Sequence, residues 1–241
     1  MTGAAAGGGD LGRFRGVDAW VFDLDNTLYP RSANLFQQVD RRIHDYVGRL
    51  LKLTPEEAQR VQKDYYQRYG TTLRGLMEEH GIQPDDFLAY VHDIDHSPVK
   101  PDPRLAAAIK TLPGRKFILT NGSRQHAEKV AARLGVTGHF DEIFDIVSSE
   151  LLPKPNAATY DRFVAATGIK PAQAAMFEDL ARNLAVPAAL GMATVLIVPE
   201  AALKIVGEAW ELEGRDAPHV DFVTDDLAGF LEGVMAEIGA R

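Results

Sequence analysis

The chain has 241 residues, no cysteine, 46% hydrophobic and 25% charged residues, and a formal net charge of -8. These values exclude a disulfide framework, thiol chemistry and a cysteine zinc site. They also speak against a nucleic-acid polymer as partner, because an acidic chain without a local basic patch lacks the electrostatic footprint for it. No apolar run approaches a bilayer span, so no membrane partner is expected and a cytoplasmic location is the simplest reading; small anionic substrates stay open, because a bound metal reverses the local sign.

Met1 to Asp10 is rich in Ala and Gly, with neither an apolar core nor a basic start, and is expected to be a disordered tail rather than a signal peptide. Trp20, Val21 and Phe22 then read as a buried strand that runs straight into Asp23-Leu24-Asp25-Asn26-Thr27. Buried strands usually give way to Gly, Pro or Asn. Two carboxylates this close raise each other's proton affinity unless a cation or hydrogen bonds hold them, so the pattern suggests a divalent metal, a nucleophilic carboxylate, or both. Taken alone, Asp23-Leu24-Asp25 reads equally well as a solvated turn.

Leu35, Phe36, Val39, Ile43, Tyr46, Val47 and Leu50 recur at three- and four-residue spacing and predict an amphipathic helix over 33–52. Thr54-Pro55-Glu56-Glu57 is a capping box that opens a second helix to about Tyr69, and Gly70 ends it. Shorter helical patterns follow at 73–79 and 84–92. Residues 30–99 thus form a helical unit without a convincing strand. Three prolines within Ser97 to Pro103 make a semi-rigid return linker.

Beyond the linker, helices and strands alternate. Strands are predicted at 116–120, 142–147, 174–177, 194–198 and 220–223, with helices at 104–110, 123–134, 157–167, 181–190, 201–210 and 225–238. Alternation implies right-handed crossovers and a parallel sheet covered on both faces, to which the strand before Asp23 also belongs. The expected fold is therefore α/β: a Rossmann-like parallel core over 11–29 and 100–241, with the helical unit 30–99 inserted after the first strand.

Ligands of open α/β sheets bind beyond the carboxyl ends of the strands. There the sequence places Asp23 and Asp25, then Thr120-Asn121-Gly122, then Lys154 before Pro155, which can open the next helix, and then Glu178-Asp179. Four separate strand ends delivering carboxylates, a hydroxyl, an amide and an ammonium to one edge are hard to read as unrelated surface turns. Lys154 taken singly reads as a surface lysine; its company changes that.

This set resembles the haloacid dehalogenase superfamily, whose four motifs match Asp23-x-Asp25-x-Thr27, Thr120, Lys154 and Glu178-Asp179 over nearly the whole chain. Asp25-Asn26-Thr27-Leu28-Tyr29, Tyr65-Tyr66, Tyr69-Gly70, Arg74-Gly75-Leu76, Thr120-Asn121-Gly122 with His126-Ala127, and Asn183 make it similar to the pyrimidine 5'-nucleotidases of that superfamily. The resemblance implies a phosphatase acting on a small-molecule phosphate ester, with residues 30–99 as a cap domain. It implies Asp23 as nucleophile forming an aspartyl-phosphate, and Asp25 as acid/base, which requires a raised pKa. It implies Thr120, the Asn121 amide and Lys154 around the phosphate, and Mg2+ held by Asp23, Asp179 and the carbonyl of Asp25. Glu178 is a ligand or supports one, and Asn183 stands where many relatives carry an acid, which favours an orienting role. The superfamily's dehalogenases lack the second aspartate, so Asp25 favours phosphoryl chemistry over carbon–halogen cleavage. A phosphatase of another small metabolite, such as a sugar phosphate, or a non-catalytic binding protein on the same fold are the alternatives.

Other residues are less telling. His92-Asp93-Ile94-Asp95-His96 has metal-ligand composition but reads as a solvated hinge beside the linker. Tyr66, Tyr69 and Leu73 share a helical stripe and read as cap core before a base-stacking platform. Arg74 is the favoured cap residue for substrate contact. His126 can face the site or merely cover it, and the sequence leaves both open.

Overall fold

A computed structural model describes residues 9–199 and 214–239. The predicted helix at 201–210, and residues 1–8 of the predicted tail, lie outside the described residues. Asp10, placed in that tail by sequence, accepts the Gly12 amide at 2.8 Å and caps a short turn at Leu11–Phe14.

Among the described residues six strands form one parallel sheet in the order β3-β2-β1-β4-β5-β6. They are β1 (Ala19–Phe22), β2 (Arg115–Leu119), β3 (Glu142–Phe144), β4 (Ala174–Glu178), β5 (Ala193–Ile197) and β6 (Phe222–Thr224). In β1 all four side chains are buried, with Trp20 and Phe22 packing into the cluster on one face and Ala19 and Val21 into the cluster on the other. That two-sided burial is why the strand reads as a continuous apolar run rather than an alternation. Helices α5 (Pro103–Thr111), α6 (Arg124–Leu134), α7 (Ala157–Thr167) and α8 (Ala181–Ala189) lie in the crossovers, and α9 (Leu227–Gly239) follows β6 and packs against α5.

Between β1 and β2 stand α1 (Leu35–Leu51), α2 (Pro55–Tyr69), α3 (Thr72–His80) and α4 (Pro84–Val91). Their apolar faces meet in a cluster of their own, including Val39, Val47, Leu76, Phe87 and Val91, to which Ile146 of the core is added. The capping box forms as read: Thr54 Oγ1 accepts the Glu57 amide, and the Glu57 carboxylate accepts the Thr54 amide. Gly75 sets the α2–α3 approach, since a Cβ there would lie 2.4 Å from the Tyr65 ring.

Two sequence expectations change. β3 stops at Phe144 rather than running to Val147, because Asp145 turns its carboxylate to the amides of Arg124 and Ser148 and ends the strand. Pro155 does not open α7. It follows a cis peptide bond after Lys154, and Asn156 caps the helix by accepting the Ala158 amide.

β1 lies between β2 and β4 in matched register, with Phe22 opposite both Ile118 and Phe177. From β1 the chain builds one side of the sheet through β2 and β3, then returns to build the other through β4. This is the switch point at which open α/β sheets bind ligands, and the three central strands end there side by side.

Candidate active site

Asp23 follows β1 directly, anchored by its amide to the carbonyl of Phe177 at 2.9 Å. Its carboxylate is gripped at both oxygens: Thr27 donates to Oδ2 at 2.9 Å and Lys154 Nζ to Oδ1 at 2.7 Å. Lys154 is 1% exposed, and its ammonium also donates at 2.7 Å to Glu178 Oε1 and at 2.7 Å to the carbonyl of Leu119. Three acceptors for three N–H groups satisfy a buried lysine completely. Asn121 holds that lysine's backbone from both sides, accepting the Lys154 amide at 2.8 Å and donating to its carbonyl at 3.2 Å. Thr120 Oγ1 accepts the Gly122 amide at 2.9 Å, which leaves its hydroxyl hydrogen for another acceptor.

Oxygens of Asp23, Glu178 and Asp179 lie within 4.8 Å of one another. Burial pushes the Asp23 carboxyl up to about 7 in spite of Lys154, and the Glu178 and Asp25 charges add to the rise. Asp179 is pushed well above the carboxylate range by burial and by the charges of Glu178 and Asp23, against the pull of Arg31. Burial works against the Lys154 ammonium too, but Asp23 and Glu178 hold it protonated, above the ordinary lysine value. An all-oxygen donor set with surplus buried negative charge fits a hard divalent cation. A second observation agrees: Asn183 donates to Glu178 Oε1 at 2.7 Å, and its own buried Oδ1 has no hydrogen-bond partner among the described residues, an acceptor suited to water around such an ion.

Asp25 lies on the same rim but in different surroundings. Burial raises its proton affinity, yet the charge of His126 and hydrogen bonds from His126 and Tyr29 outweigh this and bring the carboxyl down to about 2. The raised pKa expected of Asp25 is therefore not what its neighbours produce, because His126, 101 positions away in sequence, and Tyr29 both sit against it.

A cavity of about 690 Å³ opens from these residues toward α1, α2 and α4. Its inner end is polar. Its far wall is formed by apolar side chains such as Phe36, Val39, Ile43 and Val91, interrupted by Asp40, His44, Gln62 and Lys63. Gln62 Nε2 donates to Asp40 Oδ1 at 2.6 Å, which places an amide–carboxylate pair among the apolar side chains of that wall.

Residues 17–191 match the family of haloacid dehalogenase-like hydrolases. The chain belongs to that family. Among the relatives of this hydrolase is phosphate metabolism protein 8 of Saccharomyces cerevisiae, 28% identical over 73% of the chain and 60% of the yeast protein, so the match spans little more than half of that relative. The glyceraldehyde 3-phosphate phosphatase of Methanopyrus kandleri is 28% identical over 75% of the chain and 84% of its own length. Solved structures with the same fold include a phosphatase of the superfamily from Thermococcus onnurineus, with TM-score 0.56 at 15% identity over 93% of this chain and 99% of that one. The L-2-haloacid dehalogenase of Xanthobacter autotrophicus superposes with TM-score 0.54 at 18% identity over 90% and 98%.

In this hydrolase Asp23, Asp25, Thr120, Asn121, Lys154, Glu178, Asp179 and Asn183 all line the cavity. Arg74 is not brought to it. Arg74 pairs with Glu78 one turn along α3 and is not among the residues that line the cavity. Tyr66 lines the cavity with the Arg182 guanidinium 4.8 Å over its ring, whereas Tyr69 turns outward to Arg68 and Glu79. The hinge reading of 92–96 holds for exposed Asp93 and Asp95 but not for His92, which is buried against His126. Arg31, which no motif singled out, donates to Asp179 Oδ2 at 2.7 Å with only 14% of its side chain exposed. Its place two residues after Tyr29, where the chain leaves the core, is the one sequence signal that would have found it.

Proposed function

We propose that this hydrolase is a Mg2+-dependent phosphomonoesterase and that its substrate is a nucleoside 5'-monophosphate, with a pyrimidine base preferred. The observation that carries the reading is a carboxylate set, crowded around Lys154 at the switch point, that opens into a cavity of about 690 Å³ with a mostly apolar far wall. Phosphatases among its relatives support phosphoryl chemistry. A three-carbon phosphate would leave most of the cavity filled with water, whereas a base and ribose would occupy it and meet the Gln62–Asp40 pair.

In this mechanism Asp23 Oδ attacks phosphorus, the bond to the leaving oxygen breaks, and Asp25 gives that oxygen its proton; water then attacks the aspartyl-phosphate and gives a proton back to Asp25. A phosphate dianion seated beside Asp25 brings like charge that raises its proton affinity from about 2. Thr120 and the Asn121 amide hold phosphate oxygens, and Lys154 keeps Asp23 aimed while offsetting charge. Asp23, Asp179 and the Asp25 carbonyl would hold Mg2+, with Glu178 and Asn183 orienting the set; when bound, the ion supplies neutralisation of the phosphate and of the surplus carboxylate charge. Residues 30–99 act as the cap that excludes water during the first transfer.

The test is phosphate release from UMP, CMP, purine nucleotides and sugar phosphates, with and without Mg2+. UMP and CMP are expected to give the highest kcat/KM, and only with the metal. Equal turnover of sugar phosphates would overturn the nucleotide reading and leave the general phosphatase. No release from any ester by folded, Mg2+-loaded protein would favour a binding protein. Asp23→Asn is expected to abolish turnover with the fold intact.

A further inference from the structure

The Asp25 carboxylate is held at one of its two oxygens. Tyr29 donates its hydroxyl to Oδ1 at 2.5 Å, and His126 Nε2 lies 2.9 Å from the same atom. No hydrogen bond to Oδ2 is found among the described residues. The His126 side chain is fully buried and is itself clamped. His92 stacks on its ring with 4.6 Å between centroids, and its Nδ1 lies 3.2 Å from His96 Nε2.

The far end of this chain sets its direction. His96 Nδ1 is 3.1 Å from the carbonyl of Ile94, which only accepts, so that nitrogen carries the hydrogen and the neutral His96 ring offers Nε2 as an acceptor. His126 therefore donates from Nδ1, and because its Nε2 faces a carboxylate oxygen that only accepts, the ring carries a hydrogen there too and donates from both nitrogens. A flipped ring would lose both contacts. Tyr29 closes the other side, its phenol hydroxyl donating to an oxygen that only accepts.

We propose that His126 is the positioning residue for Asp25: together with Tyr29 it binds Oδ1 and so leaves Oδ2 as the oxygen that meets the leaving group. The inference rests on the phosphatase reading above and adds to it the part that aims the acid. His92 and His96 belong to the segment returning from the helical unit, so the aim of Asp25 depends on how that segment seats against α6.

The test separates aiming from folding by the leaving group. An alkyl phosphate needs a proton on its departing oxygen, whereas p-nitrophenyl phosphate releases a phenolate that hardly needs one. Because kcat/KM covers only the steps through phosphoenzyme formation, hydrolysis of the aspartyl-phosphate, common to both esters, drops out. His126→Met is expected to lower kcat/KM for the alkyl ester roughly 100-fold while changing p-nitrophenyl phosphate by less than about 3-fold, the lower end of general-acid effects. His126→Gln, which keeps an amide donor within reach of Asp25, is expected to recover most of the loss. Tyr29→Phe preserves volume and fold, and is expected to show the same selectivity with a smaller drop, so the inference is testable even if the methionine variant does not fold. Equal losses on both esters, or alkyl-ester turnover at the wild-type level in the variants that fold, would overturn it. Wild-type protein inert toward both esters would overturn the phosphatase reading and this inference with it.

Discussion

Replacing Lys154 with methionine removes an ammonium shared by Asp23, Glu178 and the Leu119 carbonyl, each at 2.7 Å. The side chains left behind are buried, so no water replaces the lost donor freely. Breaking a buried ion pair by deleting one partner costs about 3–5 kcal/mol. Burial already lifts the Asp23 carboxyl to about 7 with the ammonium beside it, so without the ammonium it takes up a proton more readily, part of the penalty is relieved and the lower end applies. At about 2–4 °C per kcal/mol for a chain of this size, a loss of about 3 kcal/mol lowers Tm by roughly 6–12 °C. The assay is thermal unfolding by circular dichroism in EDTA at pH 8, alongside the wild type. Asp23, stranded in the variant, has a raised folded pKa, so the deficit should grow as pH rises and shrink toward pH 5. Adding Glu178→Gln to Lys154→Met should recover part of the loss, a coupling read as a double-mutant cycle. A Tm within about 2 °C of wild type across this pH range would refute the claim that Lys154 neutralises the cluster.

The same electrostatics predicts the metal-free wild type. Asp23 and Asp179 bind protons more tightly folded than unfolded, so their contribution is present below the ordinary carboxylate range and is lost as pH rises through about 7 for Asp23. Metal-free Asp23→Asn should therefore melt above wild type at pH 8 although it cannot turn over, and equal or lower stability would contradict the assignment. Saturating Mg2+ should raise the wild-type Tm in thermal scans, with about 2.7 kcal/mol expected at 100 times Kd, and no shift would contradict cation binding at this cluster. Gly75→Ala should cost about 1–3 kcal/mol in urea unfolding through overpacking against the Tyr65 ring, although alanine is the better helix former; a stabilised variant would show that α2 and α3 can move apart.

Much of the fold was legible in local chemistry. β1 is buried on both faces, so its composition alone marked it as a strand, and the Thr54–Glu57 box and Gly70 cap are satisfied within a few residues of chain. The motif residues at the strand ends were legible for a related reason: parallel strands in matched register bring their carboxyl ends together, so knowing the strands places Asp23, Thr120 and Glu178 near one another. Lys154 was legible only in the company of the other strand ends, since a loop separates it from β3 and its burial leaves no periodic signal.

What sequence by itself determined, then, is the order of elements and which acids stand at the switch point, because these depend on contacts close along the chain or on sheet register. Tertiary structure alone decided the surroundings of each acid. Asp23 and Asp25 are two residues apart with the same side chain, yet burial lifts one to about 7 while His126 and Tyr29 bring the other to about 2. His126 reaches Asp25 across 101 positions of sequence, and Arg31 reaches Asp179 across 148. Proton affinity and aim are set by desolvation and by partners from remote segments, which folding brings together and no local pattern records.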